Sequence, residues 1–229
     1  MDASRPQRGT SRQLKLLFYS VPIHPRLPGG AFSAHTGNHT FWEGIIMAKI
    51  IVPKSNERER ALFAKLNITL IESLTEKEFE QAVIDYLNTH NVLHLSTCRD
   101  NEPRTTPLEY FNNGLTVHIF SEGGGKFANL KVNPKVSYSL CDPYDPAEDL
   151  MGAKGLQVWG TASVFKKNDD PARFQSIHQY SRNAEVLKKL GVDQMAAAMN
   201  FNVITIEPAR IRYLDMRKGF RNVTWEREK

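Results

Sequence analysis

Seven short strand-like segments lie between Val92 and Leu214, and the two-residue apolar period that three of them show most limits what the chain can become. Val92 to Cys98 sets Leu93, Leu95 and Thr97 against Val92, His94 and Ser96. Lys135 to Cys141 puts Val136, Tyr138 and Leu140 on one face, and 154–165 does the same with Leu156, Val158, Ala162 and Val164. The other segments are Arg104 to Phe111, Leu115 to Phe120, Phe201 to Ile206 and Ile211 to Leu214. Tight turns join several of them. In Asn112-Asn113-Gly114 the glycine suits a site that demands positive φ. Strands linked in this way run antiparallel, and closing them into a small barrel removes the exposed edges. The expected fold is mainly β with helices: a six- to seven-stranded antiparallel barrel with flanking α-helices.

The helices announce themselves by caps and by a longer period. Asn56 to Leu66 carries Leu62, Phe63 and Leu66 on one side. Thr75-Glu76-Lys77-Glu78 reads as a capping box, in which the threonine hydroxyl and the glutamate each satisfy an orphan amide. The helix behind it gathers Phe79, Val83, Tyr86 and Leu87 on one face and ends near Asn88 to Asn91. A further helix is expected over Asp169 to Leu190, with Asp170 as cap, Pro171 in the first turn and Gly191 as stop, and another turn or two over Val192 to Met199. Pro208 reads as a break between the last two strands, and Arg217, Lys218, Arg221, Trp225 and Arg227 as a basic tail.

Residues 1–46 show no sustained period of either kind and are expected to form a disordered extension. They carry five basic and two acidic residues, so they supply three of the five formal positive charges. The sequence pI of about 9.2 therefore argues little for nucleic acid, which needs clustered charge on a folded surface. Met47 opens a well-formed amphipathic protein shortly after Trp42-Glu43-Gly44, whose codons are necessarily G-rich, as a ribosome-binding site would be. Two readings of the segment stay open, an extension that is not native coding sequence ahead of a start at Met47, or native sequence that starts at Met1; 47–229 is read as the domain, with a helical insertion near 169–199. The two cysteines, Cys98 and Cys141, make neither a disulfide scaffold nor a zinc site, and are expected to be half-buried thiols. No metal-ligand spacing appears among the histidines, and no apolar run has the length of a membrane span.

The chemistry concentrates in residues 104–134. Pro107 has no amide hydrogen and cannot sit inside a regular ladder, so its strand is expected at an edge or bulged. Backbone groups of Arg104, Thr105, Thr106, Pro107 and Leu108 would then be open to the polar rim of a planar heterocycle; a plain edge strand fits equally well. Ser121-Glu122-Gly123-Gly124-Gly125-Lys126 follows, a glycine turn whose amides can converge on an anion, with a hydroxyl at Ser121 and a mobile cation at Lys126. It lacks the spacing of a P-loop. Arg104 would be a second cation. Trp159 would be packing or aromatic cover for a flavin ring, and Gly160 beside it marks a bend or a close approach.

Taken in order, Glu-Pro-Arg-Thr-Thr-Pro-Leu (102–108), Phe-Ser-Glu-Gly-Gly-Gly-Lys-Phe-Ala-Asn-Leu-Lys-Val-Asn-Pro (120–134) and Val-Trp-Gly-Thr-Ala (158–162) resemble the pyridoxamine 5′-phosphate oxidase-like family of flavin mononucleotide (FMN) binding split barrels. The resemblance runs from about Phe79 to Val164, with a weaker echo over 206–214. It implies FMN as cofactor, with Arg104, Thr105, Thr106 and Pro107 at the flavin, Ser121 and Lys126 at its phosphate, and Asn129 and Trp159 completing the cofactor-binding set. It also implies a cytoplasmic homodimer with FMN at the subunit interface and a small-molecule substrate. Glu109 stands where true pyridoxamine-phosphate oxidases carry lysine, Gly155 where they carry glutamine, and Asn222-Val223-Thr224-Trp225 does not match their substrate-binding C-terminus. The expectation is an FMN-dependent oxidoreductase of unassigned substrate and unassigned catalytic residues. The alternative is a split barrel that binds flavin, deazaflavin or haem without catalysis.

Overall fold

A computed structural model describes residues 48–228, apart from the side chains of 184 and 195–197. The expectations for 1–46 lie outside the described residues. Among the described residues, nine antiparallel strands form one hydrogen-bonded sheet. In chain order the elements are β1 (Ala48–Ile51), α1 (Glu57–Lys65), α2 (Glu76–Thr89), β2 (Val92–Arg99), β3 (Glu102–Glu109), β4 (Phe111–Asn113), β5 (Thr116–Ser121), α3 (Lys126–Val132), β6 (Lys135–Cys141) and β7 (Lys154–Lys166). Then come α4 (Pro171–His178), α5 (Ala184–Lys189), α6 (Asp193–Ala198), β8 (Asn202–Asp215), a 3-10 turn (Met216–Lys218) and β9 (Phe220–Arg227).

Six strands make the barrel. The path β3-β2-β6-β7-β8 continues to β5, and β5 lies alongside β3 with no ladder between them. This gap is the split. It arises at Tyr110, where the strand expected over Arg104 to Phe111 is divided. The Tyr110 amide bonds Asn91 O and its hydroxyl bonds Leu87 O, so the chain leaves β2 there and starts a new pairing with β5 as β4. The capping box expected at Thr75 closes with Glu78, and a second, unexpected one closes at Asn56 with Glu59. The inward faces meet α2 in one core of Phe79, Val83, Leu87, Leu93, Leu95, Ile119, Leu156, Ile204 and Ile206, each fully buried. Burial of such a side chain contributes about 1.5–3 kcal/mol.

Four expectations are corrected. Pro208 does not break the chain into two strands, because β8 runs unbroken from Asn202 to Asp215. Its first half, up to Ile206, bonds β5, and its second half, from Arg210, bonds β9. Pro208 stands at the handover, where no partner on that side asks for its missing amide hydrogen. The basic tail is the strand β9, with Phe220, Val223 and Trp225 in the core. The helix expected over Asp169 to Leu190 is two helices, interrupted at 179–183, where Arg182 reaches across to Asn88, His90 and Asn112. Cys141 is exposed rather than half-buried, because it closes β6 on the outward side, whereas Cys98 is half-buried.

Candidate functional site

The site forms where the split opens at the C-terminal end of β5. β3 is an edge strand in unbroken register with β2, from Val92 opposite Glu109 to Arg99 opposite Glu102. Pro107 therefore needs no bulge, since its missing amide hydrogen can fall on the open edge. Register fixes the faces, because directly opposed residues share one. Arg104 opposes buried Thr97 and Thr106 opposes buried Leu95, so these two turn inward. Thr105 and Pro107 turn outward, and the Thr105 and Ser96 hydroxyls lie 3.0 Å apart.

The glycine turn brings Arg104 and Lys126 together. Gly124 has φ +113°, a conformation that favours glycine, and it carries the chain back over its own end. The Arg104 guanidinium lies against Gly125, whose added β-carbon would stand 3.2 Å from Nη1. Lys126 opens α3 but is only 5% exposed, so it is not the mobile cation its sequence context suggested. Its ammonium donates to Gly123 O at 2.6 Å and sits 4.9 Å from the centre of the Phe127 ring. Burial and the neighbouring Arg104 charge both press its pKa down. Among the described residues neither cation meets a carboxylate. A buried cation beside a second one is costly unless an anion joins them.

Ser121 ends β5, and its hydroxyl makes a long bond of 3.4 Å to Gly123 O. Asn129, on α3, donates to the Thr97 hydroxyl at 3.0 Å, and Asn133 donates to Cys98 O at 3.2 Å. These two amides fasten α3, and with it Lys126, to β2. Asn129 is thus a positioning residue for the turn. Thr97 was not singled out in the sequence, and only its inward parity opposite Arg104 could have revealed it.

Trp159 belongs to the outward face. Successive registers align Thr105, Ser96, Ser137, Trp159 and Arg210 in one row across β3, β2, β6, β7 and β8. The Trp159 ring, 37% exposed, carries the Arg210 guanidinium at 5.0 Å and that of Arg212 at 5.9 Å. The structure therefore sorts the eight expected residues into a cationic turn (Arg104, Ser121, Lys126, with Asn129 behind it), an outward row (Thr105, Pro107, Trp159) and inward Thr106. The two arginines over Trp159 were missed, although their alternation along β8 was readable. Glu109 has a partner as well: Asn183 Nδ2 donates to its Oε1 at 3.0 Å. Among the described residues no cluster of three or more His, Cys, Asp or Glu could hold a metal, and no helix is long and apolar enough to cross a membrane.

The family described as pyridoxamine 5′-phosphate oxidase matches residues 79–215, more than half of the chain. No curated protein matches the sequence. Among solved structures, a conserved hypothetical protein from Mycobacterium tuberculosis is 21% identical, with 66% of this chain and 91% of that one covered and a TM-score of 0.48. A FAD-binding protein from Mesorhizobium loti is 18% identical, with 80% and 99% covered and a TM-score of 0.42. The haem storage protein HutZ from Vibrio cholerae is 20% identical, with 56% and 89% covered and a TM-score of 0.41. With the family matched from the helix before the barrel to the end of β8, the chain belongs to the pyridoxamine 5′-phosphate oxidase-like split-barrel family.

Proposed function

We propose that this protein binds FMN and acts as a flavin-dependent oxidoreductase, as a homodimer with the cofactor at the subunit interface. The observation that carries the reading is Lys126, buried beside Arg104 with no acid to neutralise either. A phosphate in the turn would supply the missing charge and replace repulsion with two charge-assisted hydrogen bonds. The residues present fit a flavin phosphate in this respect. Lys126 and Arg104 would hold it, Asn129 would keep Lys126 in place through Thr97, and the open edge at Thr105 and Thr106 would offer backbone groups to the ring. Bound FMN would contribute hydride or electron transfer, and the chain would contribute position and charge. The outward row that ends at Trp159 and Arg210 is the face on which a second subunit would cover the ring.

The visible spectrum of the purified protein is the direct test, followed by chromatography of whatever denaturation releases. A flavin spectrum and released FMN support the reading. A colourless protein that takes up no FMN in a fluorescence titration sinks it. Turnover of a nicotinamide donor by the yellow protein separates an oxidoreductase from a flavin carrier, and light scattering at micromolar concentration tests the dimer.

A further inference from the structure

Away from the cationic turn, Arg212 stands on the outward face of β8 as a half-buried charge. It alternates with Arg210, and both guanidiniums lie on the Trp159 ring, at 5.9 Å and 5.0 Å from its centre. Arg210 is paired with Glu226, Nε to Oε1 at 3.2 Å. Among the described residues Arg212 has no ion pair, and its Nε is shielded from solvent without an acceptor. Register shows why no acid reaches it. Arg212 lies between Gln157 of β7 and Thr224 of β9, both neutral. The row on one side is Trp159, Arg210 and Glu226, whose carboxylate is committed to Arg210, and the row on the other is Gly155 and Leu214.

A guanidinium on an aromatic face is attracted by the ring and sheds part of its water on that side. Arg212 is therefore positioned and partly desolvated before any ligand arrives. Its planar fork matches the two oxygens of a carboxylate. We propose that Arg212, on Trp159 and beside Arg210, is a binding site for the carboxylate of a small organic acid with an apolar body. The charge count selects the class. At the cationic turn two unpaired cations, Arg104 and Lys126, suit a phosphate group, which carries close to two negative charges. Here Arg210 is neutralised by Glu226, so one cation is free and one negative charge balances it. The exposed part of the Trp159 ring and the half-buried Leu214 side chain offer apolar contact to the rest of the molecule.

The role of such an acid as substrate rests on the proposed FMN dimer, in which the face that carries Trp159 covers the ring held by the other subunit. An acid bound at Arg212 is then presented to that ring. Its binding at Arg212 needs only this chain's own residues and is open to measurement without flavin.

The test is a titration of the full chain with benzoate at constant ionic strength, followed in nitrogen-15 spectra of the arginine side chains. The Arg212 Nε signal is identified by its loss in Arg212→Gln. The expected result is a saturable shift of that signal with benzoate and none with benzamide, its neutral counterpart. Inorganic phosphate should displace benzoate several-fold less well than unlabelled benzoate displaces itself. Arg212→Gln should lower benzoate affinity at least about tenfold, the scale of one lost charge-assisted hydrogen bond, and Lys126→Met should leave it unchanged. In protein loaded with FMN, benzoate should move the flavin absorption bands. An Arg212 signal indifferent to benzoate overturns the proposal, and is the outcome if an acid of a second subunit already occupies the guanidinium. Benzamide that matches benzoate, or phosphate that binds Arg212 more tightly, overturns it as well; both are read in the wild-type protein even if a variant fails to fold. Flavin bands that stay still while benzoate saturates Arg212 overturn the substrate role. A protein that takes up no FMN defeats the flavin reading alone, because the benzoate titration still decides the site.

Discussion

Arg104 sets its guanidinium beside Gly125, so that the β-carbon of any other residue there would stand 3.2 Å from its Nη1 and 3.4 Å from its Cζ. The contact is tight enough that one methyl group must move the guanidinium. Gly125 has φ −60°, so alanine is not strained by the backbone. Gly125→Ala should therefore fold with a thermal midpoint within about 2 °C of wild type, since it touches no core residue. FMN affinity should fall several-fold, because one of the two cations is displaced by a few tenths of an ångström from its place beside Lys126. Fluorescence quenching of FMN on titration reads the affinity, and an unchanged value would detach Arg104 from the site.

Lys126→Met should separate stability from binding. The ammonium is buried, is pressed toward neutrality by burial and by Arg104, and meets only Gly123 O and an aromatic ring. Methionine has similar length, keeps the packing and removes the charge. The cofactor-free protein should gain about 1 kcal/mol in urea denaturation, as expected when an uncompensated buried charge is replaced by an apolar group. FMN affinity should drop by at least about tenfold, the scale of one lost charge-assisted hydrogen bond. A variant that loses stability and keeps its affinity would assign Lys126 a structural role.

Much of this arrangement was legible because local rules and the fold agree. The capping box at Thr75, the alternation of β2, β6 and β7, and the glycine at the Asn112-Asn113-Gly114 turn all fall where the sequence put them. β9 was hidden by a bulge. Asn222 takes positive φ, and the ladder slips between Tyr213 and Asp215, so Val223, Thr224 and Trp225 are buried in succession and the alternation disappears. Pro208 misled because the break it implies concerns one side of β8, where β5 hands over to β9, and the other side stays bonded to β7. At the site, the glycine turn and its lysine were visible. The burial of Lys126 and the tether from Asn129 to Thr97 depend on how α3 sits on β2, a long-range contact with no period of its own.

Acid should weaken the fold through His118. This side chain is buried, bonded by Nδ1 to the Thr205 hydroxyl at 3.1 Å and flanked by Phe111. Burial, with the Arg173 charge in second place, pushes its pKa down to about 4. The unfolded chain takes up the proton near pH 6.5. The stabilisation from a neutral His118 is therefore complete above about pH 6.5, declines as pH falls, and is gone below about 4. The whole step is on the order of 3 kcal/mol. His178 is lowered by burial and by Lys167, in the same direction. His118→Gln can keep the bond to Thr205 and cannot titrate. The gap between wild-type and variant thermal midpoints should narrow as pH is lowered from 7 to 4; a constant gap would mean that His118 does not titrate in this way.

Gly160 should be the least replaceable glycine of the barrel. It sits at the register shift of β7, opposite Pro208, where β8 changes partners. A β-carbon there would lie 2.3 Å from Glu207 O and 3.3 Å from Ile206 Cγ2. The nearer atom is backbone in the strand that holds β5, β7 and β9 together, so it cannot swing away as a flexible side chain would. Gly160→Ala must therefore push β7 and β8 apart at the bulge, at a cost of about 2–3 kcal/mol in chemical denaturation, the scale of overpacking a well-filled interior. Gly123→Ala is the matched control, because nothing lies within 4 Å of its added β-carbon and its φ is not positive. It should change stability by less than about 0.5 kcal/mol. Equal stabilities for the two variants would show that the bulge yields freely. The row of residues leading to Trp159 would then have no fixed register with Arg210.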